Sequence, residues 1–187
     1  MTFFARRINT REIAFNPTMK RFAFTGPESS GKTTIAKRFA TLVDGIYVEE
    51  FARVYLEERG GEYTAADLVH IAESQCKLWE ETNGILVADT EMLVLKVWSE
   101  VRFGRTDAFI EEALITQNFD HYFLCYPDIP WEPDPLREHP EQRMVLFDLY
   151  REKLVELNFA FTVLKGSVDE RLMTCDDIFS VLVGKNL

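Results

Sequence analysis

Gly26 to Thr33 read GPESSGKT, the GxxxxGK[ST] spacing of a phosphate cradle. Glycines at both ends of the stretch let the backbone curl so that successive N–H groups face phosphate oxygens, and a following helix adds its positive dipole end. Lys32 is expected to reach the β and γ phosphates of ATP, and Thr33 to offer its hydroxyl to magnesium. Gly26, Glu28, Ser29, Ser30, Gly31 and Thr34 complete the nucleotide-binding stretch. The plain alternative is a glycine turn that happens to contain Lys-Thr.

Moving a phosphoryl group onto a hydroxyl needs in-line geometry, neutralised charge and a carboxylate that orients or deprotonates the acceptor. Two carboxylates follow short apolar runs: Glu50 after Ile46 to Val48, and Asp89 after ILVA. Asp89 stands in a Walker-B-like position, where it could hold magnesium through a water, bind the acceptor hydroxyl, or merely cap the next helix. Glu91 is its candidate helper on the acceptor side. Glu50 and Arg53 lie one helical turn apart, so they could line an acceptor pocket together or form a surface ion pair.

The segment Pro127 to Arg143 holds five of the seven prolines and so cannot be a regular element. It reads as a lid. Arg137 is its leading catalytic arginine, because a guanidinium stays charged and forks onto phosphate oxygens, and Arg143 is the second ATP-binding candidate. Arg143 could equally be a solvated charge at a helix end. Asp134 is placed to orient Arg137, and Trp131 could stack on a flat base or pyridine ring, or pack as core. His70, His121 and His139 share no metal spacing and read as structural.

These residues sit at the ends of alternating elements. Lys20 to Thr25, Ile46 to Val48, Ile85 to Ala88, Tyr122 to Tyr126 and Ala160 to Leu164 are short apolar strands. Helices are expected over Thr33 to Val43, from the N-cap Thr64 to about Thr82, over the segment with Leu93, Leu95, Val97 and Val101, over Thr106 to Thr116, from Glu141 to Leu157, and from Val168 to Val183. The pattern predicts an α/β fold: a P-loop three-layer sandwich with a mostly parallel five-stranded sheet, helices on both faces, and ligands at the carboxyl ends of the strands. Residues 1–18 lack a sustained period and read as an appendage to a kinase domain over 19–187, one whose deletion should leave ATP binding intact.

The chain has 187 residues, 47% hydrophobic and 28% charged, which suits one globular domain and argues against a disordered chain. A net charge of −10 argues against a nucleic-acid surface. Cys76, Cys125 and Cys175 are far apart, which suggests neither a zinc site nor a disulfide framework. No apolar run approaches the ~20 residues needed to span a bilayer. The expectation is a soluble, cytoplasmic protein without a membrane partner; oligomeric state is not legible.

A guanine-specifying NKxD element is absent from the sequence, which sets GTPases aside, and the size suits a small-molecule kinase. GPESSGKTT, EEFARVY (Glu49 to Tyr55), VADTE (Val87 to Glu91) and PWEPDPLR (Pro130 to Arg137) together resemble the nicotinamide riboside kinase domain of the bacterial NadR regulator and its stand-alone relatives. The resemblance runs from about Lys20 to Arg171 and implies ATP-dependent 5′-phosphorylation of nicotinamide riboside, a small nucleoside, to nicotinamide mononucleotide. The sequence carries neither the helix-turn-helix nor the adenylyltransferase domain of NadR, so only the kinase reaction is implied. A kinase for another nucleoside or small alcohol, and a nucleotide-binding regulatory module, remain the rival readings.

Overall fold

The computed structural model describes residues 20–137 and 140–184. The expected appendage over 1–18 and His139 lie outside the described residues. Five parallel strands, β1 (Arg21–Thr25), β2 (Ile46–Val48), β3 (Leu86–Asp89), β4 (His121–Cys125) and β5 (Phe161–Leu164), form one sheet in the order β2-β3-β1-β4-β5. The helices are α1 (Lys32–Leu42), α2 (Phe51–Glu58), α3 (Ala65–Glu80), α4 (Met92–Phe103), α5 (Ala108–Thr116), α6 (Arg143–Glu156) and α7 (Val168–Leu182). The expected three-layer P-loop sandwich is the fold observed.

Strand periodicity sorts the two cores. In β1, Phe22 and Phe24 face α1 and α7, where they meet Phe39, Phe123 and Phe179 with ring centroids 5.0 to 6.1 Å apart. Ala23 faces the other way, into the larger core under α2 to α6. Each buried phenylalanine contributes about 1.5–3 kcal/mol relative to an exposed one, so both faces are firmly covered.

The chain changes direction across the sheet at β1, whose neighbours are β3 on one side and β4 on the other. In such sheets the crevice beyond the strand ends at this switch point takes the ligand. Register makes the crevice specific: Phe24 pairs with Asp89 and Thr25 with Leu124, so the loop after β1 emerges between the ends of β3 and β4.

Element bounds differ from expectation where local capping decides. Helix α5 begins at Ala108 because the Asp107 carboxylate accepts from the Phe109 N–H at 2.9 Å and ends the extended chain there. Thr64 caps α3 as expected, in a capping box with Asp67. Leu42 is 53% exposed; α1 ends there and Val43 turns into the core instead. Among the described residues, no helix is long and apolar enough to cross a membrane.

Candidate active site

The loop from Gly26 to Gly31 joins β1 to α1, and its glycines are required by contact as well as by turn geometry. Gly26 has φ 124°, and a Cβ there would lie 2.9 Å from the Cys125 carbonyl oxygen at the end of β4. Gly31 stands at the N-cap of α1 with φ 83°, and no side chain caps the first turn among the described residues. The open N–H groups and dipole of α1 therefore point at the crevice, as an anion site needs. Lys32 Nζ donates to the Gly26 and Pro27 carbonyls at 3.0 and 2.8 Å, and Ser30 Oγ donates to Pro27 O at 2.7 Å. Thr33 and Thr34 are exposed on the crevice side.

A cavity of about 250 Å³ begins at this loop. Val94, Val97, Trp98 and Val101 of α4 form an apolar wall, which explains why an apolar residue such as Val101 is 41% exposed. Glu50 and Arg53 contribute from the start of α2, Tyr150 from α6, and Glu132, Asp134 and Arg137 from the lid.

Glu50 occupies the N-cap position of α2 without using its side chain as a cap, which leaves the carboxyl available to the cavity. Burial is the main cause that pushes it up to about 7; Asp89 and Glu28 add to the rise, while Lys32 and Arg53 oppose it. Its backbone is held by Gln75 of α3, which donates to Glu49 O at 3.2 Å and accepts from the Phe51 N–H at 2.8 Å. Gln75 was not singled out in the sequence. A polar residue on the otherwise apolar face of α3 is the signal that could have marked it.

Asp89 is 2% exposed and does not line the cavity. The Tyr47 hydroxyl donates to Oδ2 at 2.8 Å, and Oδ1 has no hydrogen-bond partner among the described residues. Burial, then Asp89, raises the Tyr47 phenol far above its ordinary value, so Tyr47 stays a donor. Helix α4 is capped by Glu91 and not by Asp89.

Several expected contacts fall elsewhere. Glu91 does not reach the cavity: it is 1% exposed, and its Oε2 accepts from the Leu93 N–H at 2.6 Å and from Gln117 at 3.0 Å. A capping carboxylate must point back along its own helix, which removes it from the acceptor side. Trp131 also stays off the cavity wall, because its ring is taken by two guanidinium groups, Arg137 at 5.9 Å and Arg143 at 5.7 Å from the centroid. Arg143 is a staple of the loop rather than a lining residue: it donates to Ser29 O at 3.0 Å and Ile129 O at 2.9 Å. Asp134 does not orient the Arg137 guanidinium; its carboxylate accepts from Arg53 at 2.6 Å and from the Leu136 N–H at 2.9 Å. Arg137 donates to the Glu132 carbonyl and makes a long 3.5 Å contact to Ser29 Oγ.

Arg171 was not foreseen. It is 2% exposed and donates to the carbonyls of Ser30 at 2.7 Å, Tyr126 at 2.9 Å and Gly166 at 3.0 Å, and to the Asp128 carboxylate. One guanidinium thus ties α7 to the glycine loop and to the start of the lid. The signal was its position one turn before Cys175 and two before Phe179, a charge on the buried face of a helix. His121 is structural as expected, bonded to Thr162 Oγ1 at 2.9 Å and pushed down to about 4 by burial.

Comparison with known proteins now adds to the geometry. The family described as "AAA domain" matches residues 21–171. The chain belongs to this AAA domain family. It is similar to the trifunctional NAD biosynthesis/regulator protein NadR of Salmonella typhimurium, 24% identical over 178 residues that cover 89% of this chain and 43% of the relative. The Escherichia coli NadR is 25% identical over the same shares of each chain. The chain thus spans less than half the length of the curated relatives it matches.

Among solved structures, NadR in complex with NR superposes with a TM-score of 0.72 at 19% identity, over 91% of this chain and 51% of that one. Deoxyadenosine kinase from M. mycoides gives 0.61 at 14% identity over 86% and 99% of the two chains. Shikimate kinase from Acinetobacter baumannii gives 0.55 at 14% identity over 91% and 97%. The AAA domain of this chain therefore has a P-loop kinase fold, and the homology to NadR expected from the four motifs holds.

Proposed function

We propose that the protein is an ATP-dependent kinase that phosphorylates nicotinamide riboside on its 5′-hydroxyl to give nicotinamide mononucleotide. The observation that carries the reading is the place of Glu50 on the wall of a cavity that opens directly onto the Gly26–Thr33 loop, where burial pushes the carboxyl up to about 7. A base with that value is half-ionised near neutral pH and suited to accept a proton from a hydroxyl.

ATP binds with its phosphates against the loop N–H groups and the N-terminus of α1, and Lys32 exchanges its two loop carbonyls for the β and γ phosphates. Glu50 holds the acceptor hydroxyl toward the loop and takes its proton as the oxygen bonds to the γ-phosphorus and the bond to ADP breaks. Arg137 stabilises the charge on the transferring group from the lid side. Thr33 and Asp89 fit a magnesium ion: one is an exposed hydroxyl beside the loop, the other a buried carboxylate whose Oδ1 lacks a partner among the described residues. When bound, the ion would supply charge neutralisation on the β and γ phosphate oxygens. We assign the acceptor hydroxyl to Glu50, which lines the cavity while Asp89 does not, and Arg53 borders the same acceptor space.

The Val94, Val97 and Trp98 wall offers a flat apolar surface that another nucleoside would also fit, and Trp131 is engaged by arginines rather than free to read a base. The test is therefore comparative: ADP release with nicotinamide riboside against a panel of ordinary nucleosides. Nicotinamide riboside should give the highest kcat/KM, and Lys32→Ala should lower turnover by about 10²-fold or more. Turnover with none of them would favour the regulatory module.

A further inference from the structure

Tyr150 of α6 is 5% exposed, on the helix face that also buries Leu146 and Leu154, and it lines the cavity beside Leu146. Its hydroxyl makes no hydrogen bond among the described residues. The ring is buried while the hydroxyl opens onto the cavity, where a bound molecule can reach it. The group is also held in its donor form. Burial first, and then the carboxylates of Glu91, Glu28 and Glu50, raise the phenol well above its ordinary value.

We propose that the Tyr150 hydroxyl is a specificity-determining donor: it hydrogen-bonds an uncharged acceptor atom on the molecule whose hydroxyl Glu50 addresses. The inference rests on the kinase reading of the cavity and adds to it the chemistry of what is recognised. The atom is a carbonyl oxygen, an ether oxygen or a ring nitrogen. Glu50 and Glu132 line the same cavity, Arg53 is paired with Asp134, and Lys32 and Arg137 are assigned to the phosphates of ATP, so an uncharged acceptor atom suits this end. The body of the molecule packs on Val94, Val97 and Trp98, so its polar atom projects from a mainly apolar frame toward α6. A molecule without that atom leaves the phenol buried and unpaired, and sites built this way reject such analogues strongly.

The test compares the wild type with Tyr150→Phe on nicotinamide riboside, adenosine, cytidine, uridine and glycerol, with KM for acceptor and for ATP and the thermal midpoint measured for both proteins. For whichever acceptor the wild type turns over, Tyr150→Phe should raise the acceptor KM about tenfold, the loss of one good hydrogen bond, with the ATP KM unchanged. The midpoint should stay level. Equal acceptor KM in the two proteins overturns the inference and leaves the kinase reading standing, and so does a lowered midpoint, which would mean that the hydroxyl bonds within the protein. If only another acceptor is active, the nicotinamide riboside assignment falls and the Tyr150 comparison is made on that acceptor. A wild type inactive on the whole panel overturns the kinase reading and the inference with it.

Discussion

Arg53 donates to the Asp134 carboxylate at 2.6 Å and thereby joins α2, which follows Glu50, to the lid that carries Arg137. Both residues line the cavity, so the pair bridges the acceptor side and the lid side of the same space. Leu136 reinforces the junction by packing over Gly61, where an added Cβ would lie 3.4 Å from its Cδ2.

The pair is partly exposed, so its coupling energy should be below about 1 kcal/mol in a double-mutant cycle. Its effect is on lid position. Asp134→Ala is expected to raise the acceptor KM about threefold to fivefold with little change in the ATP KM, and high salt should shrink the difference. Steady-state kinetics at two ionic strengths check this. Equal changes in both KM values would count against a latch.

Glu50 gives a pH dependence of known sign. As a base it must be ionised, so kcat/KM for the acceptor should fall as pH drops through about 7 and level off above it. Glu50→Gln should lower turnover by about 10²- to 10⁴-fold. Stability runs the opposite way. The folded carboxyl binds its proton more tightly than the unfolded one, so folding loses stability as pH rises from the ordinary 4.5 to about 7. Glu50→Gln removes that loss: its thermal midpoint should exceed the wild type at about pH 8 and match it at about pH 4. Matching midpoints at both pH values would show that Glu50 is not burdened by burial.

The sequence made the cradle and the sheet legible because both are written locally. Glycine at Gly26 and Gly31, alternating Phe22 and Phe24, and the Thr64 cap depend on neighbours within a few residues. The lid was legible only as a place. Which partner Asp134 takes depends on an arginine 81 positions away, and proximity in the chain favoured Arg137 wrongly. Glu91 and Asp89 are two residues apart and both acidic, yet one caps α4 and the other keeps a buried Oδ1 without a partner among the described residues; only the turn after β3 separates these roles. Tyr150 and Arg171 were hidden by the opposite problem, since polar groups on buried helix faces look like noise until the cavity and the loop they serve are in view.

Arg137 should act on the transition state more than on bound ATP. Its guanidinium lies over Trp131 and is held by the Glu132 carbonyl, an arrangement that keeps the charge at the cavity without a carboxylate partner among the described residues. Arg137→Ala is expected to lower kcat by about 10²- to 10³-fold with a smaller change in ATP affinity. Trp131→Ala should give a milder loss of the same kind, because it removes the surface against which the guanidinium rests. ATP binding measured directly, beside turnover, separates the two effects; equal losses would make Arg137 a ground-state contact.

Arg171 is expected to be the most costly single residue to remove outside the cavity wall. Arg171→Met would leave the buried Ser30 carbonyl, the less buried carbonyls of Tyr126 and Gly166, and the Asp128 carboxylate without their donor, and breaking a buried pair in this way costs about 3–5 kcal/mol. Asp128 is partly exposed, which places the value toward the lower end. Arg171→Lys keeps the charge but replaces a planar fork by a single point, so it cannot serve Ser30, Tyr126 and Gly166 together. Because Ser30 belongs to the cradle, Arg171→Lys should raise the ATP KM more than the acceptor KM, in addition to lowering the denaturation midpoint. Denaturant unfolding and paired KM measurements test both parts: a destabilised variant with an unchanged ATP KM would confine Arg171 to anchoring α7, and a variant as stable as the wild type would deny it even that.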